Sequence, residues 1–278
     1  MRVAALTMAY NEPVWARVWA GYYAGQVGAA NCFLLDHGSD DGSTEGLPIN
    51  VERLPRTPLD EVARADVVGA RAAELLGRYD AVVHSDVDEL VLADPARHRD
   101  LVAFAAEVPE LVVTAAGLDL QHLPEEEPAL EVTFPVGRQR QWVRFSAAMC
   151  KPAFIRRKVA WTQGFHSSDA PAVWAGLYLV HLRYADLGLG LRRLARTREL
   201  AFAREGTNPH QRVPDQEFAD MVRAIARLPR EAFELDVDRR PLRDWLERVR
   251  MGRERRENWV NLAGDRLWQL PDRFRAMF

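Results

Sequence analysis

The chain has 278 residues, 48% hydrophobic and 28% charged, an ordinary globular balance with ample material for a core. A formal net charge of −3 gives no overall basic field, which argues against nucleic acid as a partner. The two cysteines, Cys32 and Cys150, sit in apolar contexts without a Cys-x-x-Cys spacing, so buried thiols are expected rather than a disulfide or metal site. No stretch approaches the roughly 18 apolar residues of a membrane span, and the first apolar run is too short for a signal peptide. A soluble cytoplasmic protein is the resulting expectation. Among 37 basic residues only Lys151 and Lys158 are lysines, a bias that fits a GC-rich bacterial genome better than a function.

Residues 3–8 are predicted as a strand. Pro13 marks a helix start, and 14–26 carries Trp15, Val18, Trp19, Tyr22 and Tyr23 as an apolar helical stripe closed by Gly28. Residues 30–35 form a second strand ending at Asp36, and 38–44 (Gly-Ser-Asp-Asp-Gly-Ser-Thr) form a loop by composition. A weaker strand at 51–54 precedes a helix over 59–76, with Val62, Ala65, Val68, Ala72 and Leu75 at helical spacing. Then, within 79–90, an apolar run ends abruptly in Asp86, Asp88 and Glu89. Side chains alternate along a strand, so Asp86 and Asp88 are expected to project together, with Glu89 on the opposite face holding the loop. Two hard oxygen ligands at a strand end suit an Mg²⁺ or Mn²⁺ that also binds a diphosphate. The plainer alternative is a polar turn with Asp88 or Glu89 capping a helix.

This β-α-β-β-α-β alternation predicts a mainly parallel central sheet flanked by helices, with ligands beyond the carboxyl ends of its strands. Asn11 and Glu12, the 36–44 loop and the 86–89 carboxylates all fall at that edge. Further on, 101–106 is helical, 111–115, 143–148, 152–155 and 177–182 are strands, 124–128 is an acidic surface loop, and 164–169 is a polar turn. From 188 to 278 the chain is helical and basic, with 20 Lys/Arg against 15 Asp/Glu, a net +5 that leaves −8 for the first 187 residues. Its first helix, around 191–196, is a solvated face or a membrane-surface element, so peripheral membrane contact through these basic helices stays open. The expected organisation is a ligand-binding catalytic domain at 1–187 and a helical C-terminal extension at 188–278 packed on it.

Three clusters carry a resemblance. They are 7–12 (Thr-Met-Ala-Tyr-Asn-Glu), 35–44 (Leu-Asp-His-Gly-Ser-Asp-Asp-Gly-Ser-Thr) and 85–90 (Ser-Asp-Val-Asp-Glu-Leu). In this order and spacing they resemble the family 2 glycosyltransferases of the GT-A fold, and more closely the subgroup with an Asp-x-Asp-Glu-hydrophobe motif. The resemblance covers 1–92 well and 111–185 loosely. It implies a nucleotide-diphospho-sugar transferase fold, a UDP- or GDP-sugar donor, a glycan or other hydroxyl acceptor, Mn²⁺ or Mg²⁺, and inversion at the anomeric carbon, in bacterial glycan assembly. Carried over, it implies donor contacts from Thr7, Asn11, Glu12, Asp36, Ser39, Asp41 and Asp86. It also implies a metal held by Asp86 and Asp88 and completed by His166. An inverting transfer needs a carboxylate to deprotonate the acceptor hydroxyl. The family's Glu-Asp pair has no counterpart here, which leaves Asp169 and Asp119 as candidates for the base.

His181, inside an apolar strand, either reaches the cleft or is a satisfied core residue. His84 is expected to pack, and His98, His122 and His210 lack supporting context. Arg140, Arg144, Arg156 and Arg157 can clamp phosphate or simply line a strand's exposed face. Trp142, Trp161 and Trp174 can stack on a sugar, although packing is their commoner use. Two other functions stay in play, a nucleotidyltransferase and a non-catalytic sugar-nucleotide or glycan-binding module. Against the first, Tyr10-Asn11-Glu12-Pro13 replaces the Gly-rich basic loop that such enzymes want after the first strand.

Overall fold

The computed structural model describes residues 1–203 and 212–278. In chain order the elements are β1 (Val3–Ala9), α1 (Trp15–Val27), β2 (Cys32–Asp36), β3 (Asn50–Arg53), α2 (Glu61–Leu76), β4 (Ala81–His84), β5 (Glu89–Ala93), α3 (Leu101–Glu107), β6 (Val112–Thr114) and β7 (Ala116–Gln121). They continue with α4 (Val136–Gln139), β8 (Trp142–Phe145), β9 (Pro152–Ile155), β10 (Leu177–His181), α5 (Leu187–Glu199), α6 (Asp215–Ala226), β11 (Arg230–Ala232), α7 (Leu242–Arg255), β12 (Leu267–Gln269) and α8 (Asp272–Arg275).

The strands form two six-stranded sheets where one was expected. The first runs β3-β2-β1-β4-β9-β6. Its β3, β2, β1 and β4 are parallel neighbours, and β9 lies antiparallel to both β4 and β6. The second, mixed sheet runs β11-β12-β8-β7-β10-β5. Its β11 and β12 come from the region expected to be purely helical. Three residues each are too short for any period to show in the sequence.

β1 is apolar on both faces because both faces are covered. Val3, Ala5 and Ala9 join one core with Trp15, Trp19 and Tyr23 of α1. Ala4, Leu6 and Met8 join another with Ala65, Val68, Ala72 and Leu75 of α2. This is the pattern of a strand inside a helix-covered parallel sheet. The first core continues without a break into Leu90, Leu118, Phe145 and Leu179 of the second sheet, so the two sheets share one apolar interior. Among the described residues no helix is long and apolar enough to cross a membrane.

Strand register positions the chemistry. Ala9 is level with Asp36, and Asp36 with Arg53, so β1, β2 and β3 end together. β4 ends close by, with His84 paired to Leu6. The single strand expected over 79–90 is broken. β4 stops at His84, β5 starts at Glu89 in the other sheet, and 85–88 is the connection between sheets. Ser85 pins that connection. Its hydroxyl accepts from Trp19 Nε1 at 3.0 Å, contacts the Tyr23 hydroxyl at 3.0 Å, and donates to the Glu89 carbonyl at 3.0 Å. Strand alternation therefore does not apply to Asp86 and Asp88.

Gly117 on β7 shows how tightly the second sheet seats on the following turn. A Cβ there would lie 2.3 Å from the Ser146 carbonyl oxygen, 2.4 Å from Met149 C and 2.6 Å from Cys150 N. All three are backbone atoms with no rotamer escape. Gly117→Ala is expected to destabilise the fold by about 1–3 kcal/mol, the usual cost of overpacking. Urea unfolding should show a lowered midpoint; an unchanged midpoint would mean that β7 and the 146–150 turn are not packed this closely.

Candidate active site

The loops after β1 and β2 are one hydrogen-bonded unit. Asp36, 1% exposed, accepts the Ser39 amide at 2.7 Å on Oδ1, and the Thr44 hydroxyl and Arg53 guanidinium, each at 3.1 Å, on Oδ2. Ser39 Oγ in turn accepts the Asn11 amide at 3.0 Å. Asn11 donates Nδ2–H to Asp40 at 2.7 Å and accepts the Asp40 amide at 3.0 Å. The Glu12 amide reaches Ser43 Oγ at 3.2 Å, and Asp41 caps the Ser43 amide at 2.9 Å. Asn11 sits at φ 51°, a left-handed conformation that asparagine tolerates because its short side chain bonds locally. Gly38, at φ 78°, would put a Cβ 2.9 Å from Arg56 Cβ. Asn11, Glu12, Asp36, Ser39 and Asp41 are thus brought together as expected. Asp36 itself, however, is committed to holding the loop. Thr7 is not part of the group: it lies two residues inside β1, 0% exposed, with Oγ1 buried and without a partner.

The carboxylates after β4 face different cations. Asp86 pairs with Arg64 of α2 through Oδ1 and with Lys151 Nζ at 2.8 Å through Oδ2. Lys151 also meets Glu89 Oε1 at 2.6 Å, while Glu89 Oε2 accepts the Asp86 amide at 3.0 Å. Glu89 therefore holds the connection in place. Burial pushes the Asp86 carboxyl up, but Arg64 and Lys151 outweigh it and hold the group well below the usual carboxylate range. For Glu89 the balance is opposite, and burial prevails over Lys151 to raise it.

Asp88 looks toward the second sheet and α5. Its Oδ2 takes a bond from Arg193 of α5 and one from His181 Nε2 at 3.2 Å. His181, at the end of β10, also donates Nδ1–H to Asp119 of β7 at 2.7 Å. Burial alone would lower the His181 pKa, but the two carboxylates raise it to about 9, so the ring is an imidazolium donating from both nitrogens. Burial likewise pushes Asp88 up, and Arg193 and His181 bring it well below its ordinary range. Arg193 closes the circuit: its Nε–H reaches Glu12 Oε1 at 2.6 Å, and Arg196 reaches Glu12 Oε2 at 3.4 Å. Burial still raises the Glu12 carboxyl in spite of Arg193.

The donor set does not fit a divalent ion in this arrangement. Asp86, Asp88 and His166 are not gathered, and the described residues hold no group of three or more His, Cys, Asp or Glu disposed to bind a metal. His166 turns Nδ1–H to the Ala148 carbonyl at 2.7 Å. Asp169, the other candidate base, is exposed. It accepts the Ala160 amide at 3.0 Å and pairs with Arg157 at 3.4 Å, outside the network that includes Asp119. Asp119 and His181 are adjacent because β7 and β10 pair in that register.

Sequence reasoning did not find Arg64, Lys151 or Arg193. Lys151 carried one usable signal, a lone lysine in an apolar stretch. Arg193 was hidden in a helix that looked solvated. The arginines it did single out serve structure, with Arg140 bonding the Ala185 and Pro128 carbonyls, Arg144 that of Gly264, and Arg156 those of Ala105 and Val108. His84 packs on Phe165 at 4.1 Å, and burial lowers its pKa to about 3. His210 lies outside the described residues.

No family model matches this chain, and no curated protein matches it. Among solved structures, a mannosyltransferase from Pyrobaculum calidifontis in complex with GDP-Man and Mn²⁺ is 16% identical, with a TM-score of 0.31 over 44% of this chain and 36% of that one. A mycobacterial protein is 16% identical, with a TM-score of 0.30 over 45% and 44%. Mannose-1-phosphate geranyltransferase from Thermus thermophilus is 12% identical, with a TM-score of 0.29 over 80% and 64%. This chain thus spans less than two thirds of the length of each, and likenesses this slight carry no weight for its fold or chemistry.

Two outcomes follow from the ion network. Lys151→Ala leaves Asp86 and Glu89 buried without their shared cation, and should cost about 3–5 kcal/mol in denaturant unfolding; a loss within error of zero would refute the pairing. The raised His181 pKa stabilises the fold fully below its ordinary value of 6.5, and that stabilisation is lost as pH rises through about 9. Unfolding free energy should therefore decline between these values by on the order of 3 kcal/mol. The His181 ring protons, followed by NMR, should titrate near the upper limit; titration near 6.5 would contradict the two-carboxylate clamp.

Proposed function

We propose that this chain is a transferase that moves a sugar from a nucleoside-diphosphate donor to an acceptor hydroxyl. One observation carries the reading: the stitched Asn11–Ser39–Asp36 loops and the Asp86–Asp88 connection meet at the carboxyl edge of parallel strands β1, β2 and β4, where open α/β sheets bind ligands. In this reading the 36–44 loop takes the nucleoside, and the ion network beside it faces the diphosphate.

The chemistry is a single displacement. The acceptor oxygen forms a bond to the anomeric carbon as the bond from that carbon to the diphosphate oxygen breaks, and the electron pair leaves with the nucleoside diphosphate. Fixed cations near that oxygen stabilise the developing charge without reorganising. Asp119 is our assignment for the base that accepts the hydroxyl proton, because it belongs to the network and Asp169 does not. Attack opposite the leaving group inverts the anomeric centre. The division at 187/188 belongs to the same proposal, with the C-terminal part supplying Arg193. A bacterial glycan acceptor enters this proposal from the sequence resemblance, and membrane-surface contact from the basic tail.

The test is to incubate the protein with UDP- and GDP-sugars and simple glycan acceptors and measure release of free nucleoside diphosphate. At least one donor should yield it and should also raise the melting temperature by mass action. Asp119→Asn should lower turnover by about 10²–10⁴-fold while keeping the donor-induced thermal shift. A pure binding module would show the shift without release, and a nucleotidyltransferase would consume a triphosphate instead; either result replaces this reading.

A further inference from the structure

Glu12, Asp86, Asp88, Glu89 and Asp119 are each met by one or more of Arg64, Lys151, His181, Arg193 and Arg196, and Arg64 also pairs with Glu61 at 3.1 Å. Every one of these five carboxylates is already met by side chains of the chain itself. An added divalent ion would bring two positive charges and would have to evict a cation from Asp88, which is 3% exposed. Arg193 occupies the critical place. It bridges carboxylates from two loops, Glu12 after β1 and Asp88 before β5, through Nε and Nη1. Of the five N–H donors on a guanidinium, those on Nη2 have no protein acceptor among the described residues, and the side chain keeps 24% of its surface exposed. The planar fork is thus oriented by two carboxylates and presents its remaining edge outward, a geometry suited to phosphate oxygens.

The helix that delivers Arg193 is firmly held. Asp186 caps the first turn of α5 through the Leu189 amide at 2.8 Å. The α5 residue Leu194 packs with Phe218 and Val222 of α6. Arg193 is a built-in part of the fold, not a surface side chain collapsed onto acids.

We propose that Arg193 is the resident cation of this site, filling the place between Glu12 and Asp88 that a divalent ion would otherwise take and offering its outer edge to a diphosphate. The diphosphate clause rests on the transferase reading above; the resident-cation clause does not.

Electron paramagnetic resonance of Mn²⁺ titrated into the protein tests the resident-cation clause without any nucleotide. The wild type should leave the free Mn²⁺ signal undiminished, whereas Arg193→Gln should capture one ion that the Arg193→Gln/Asp88→Asn double variant loses. Uptake of one Mn²⁺ by the wild type that is abolished in Asp88→Asn would overturn the proposal, whatever the variants' stability. Calorimetry with pyrophosphate, UDP and GDP tests the diphosphate clause. Affinity in excess EDTA should stay within about threefold of that in Mn²⁺, and Arg193→Gln should weaken it about tenfold or more, as expected for loss of a charged hydrogen bond. Binding that appears only with Mn²⁺ would overturn the proposal. No binding of any of the three in either buffer, with the Mn²⁺ titration as expected, would sink the diphosphate clause and the donor reading and leave Arg193 as the resident cation.

Discussion

A carboxylate taken out of water must be met by cations or hydrogen-bond donors, or it neutralises. Asp88 is such a group, and meeting its demand organises much of this molecule. It lies in the connection by which the chain passes from the first sheet to the second. Its partners come from β10, in the form of His181, and from α5, in the form of Arg193. His181 then needs a second carboxylate on its other nitrogen, which β7 supplies as Asp119, and Arg193 needs a second, which the loop after β1 supplies as Glu12. One buried charge thereby ties together both sheets and the first helix of the C-terminal region.

The neighbouring connection residues use the same device differently. Asp86 turns to α2 and to Lys151, and Glu89 receives both Lys151 and the Asp86 amide. Two carboxylates two residues apart thus serve separate circuits, one on the α2 side of the first sheet and one on the α5 side of the second. A buried network of this kind is worth little as a net source of stability, because desolvation offsets most of the attraction. What it supplies is a fixed arrangement of charge at the edge where the β1, β2 and β4 loops converge. Preorganised charge is what transfer of an anionic leaving group requires.

The first third of the fold was legible because its signals are local. Alternating apolar runs and helical stripes revealed β1, α1, β2, α2 and β4, and the 36–44 loop announced itself by composition. The break after His84 was not legible. An apolar strand followed by Asp-Val-Asp-Glu looks the same whether the chain runs on or crosses to another sheet, and only the Ser85 contacts with Trp19 and Tyr23 decide it. β7 was obscured by Gly117, although Leu118 and Leu120 alternate with Asp119 and Gln121 as a strand should. The carboxylates of the candidate site could be named from sequence, but their partners could not. Ion pairing across more than 60 residues, as between Asp86 and Lys151, leaves no periodic trace. His166 was named from the resemblance alone; its Nδ1–H goes to the Ala148 carbonyl, and His181 and Arg193 are the side chains that meet Asp88.

The central claim is that α5 completes the site through the bond between Arg193 and Asp88. A double-mutant cycle on Asp88→Asn and Arg193→Gln, read by urea unfolding, addresses it directly. The account predicts that the two changes are strongly non-additive, with a coupling energy of about 1.5 kcal/mol or more, as contacting buried charges show. Losses that simply add, to within about 0.5 kcal/mol, would mean the two side chains do not interact and would contradict it.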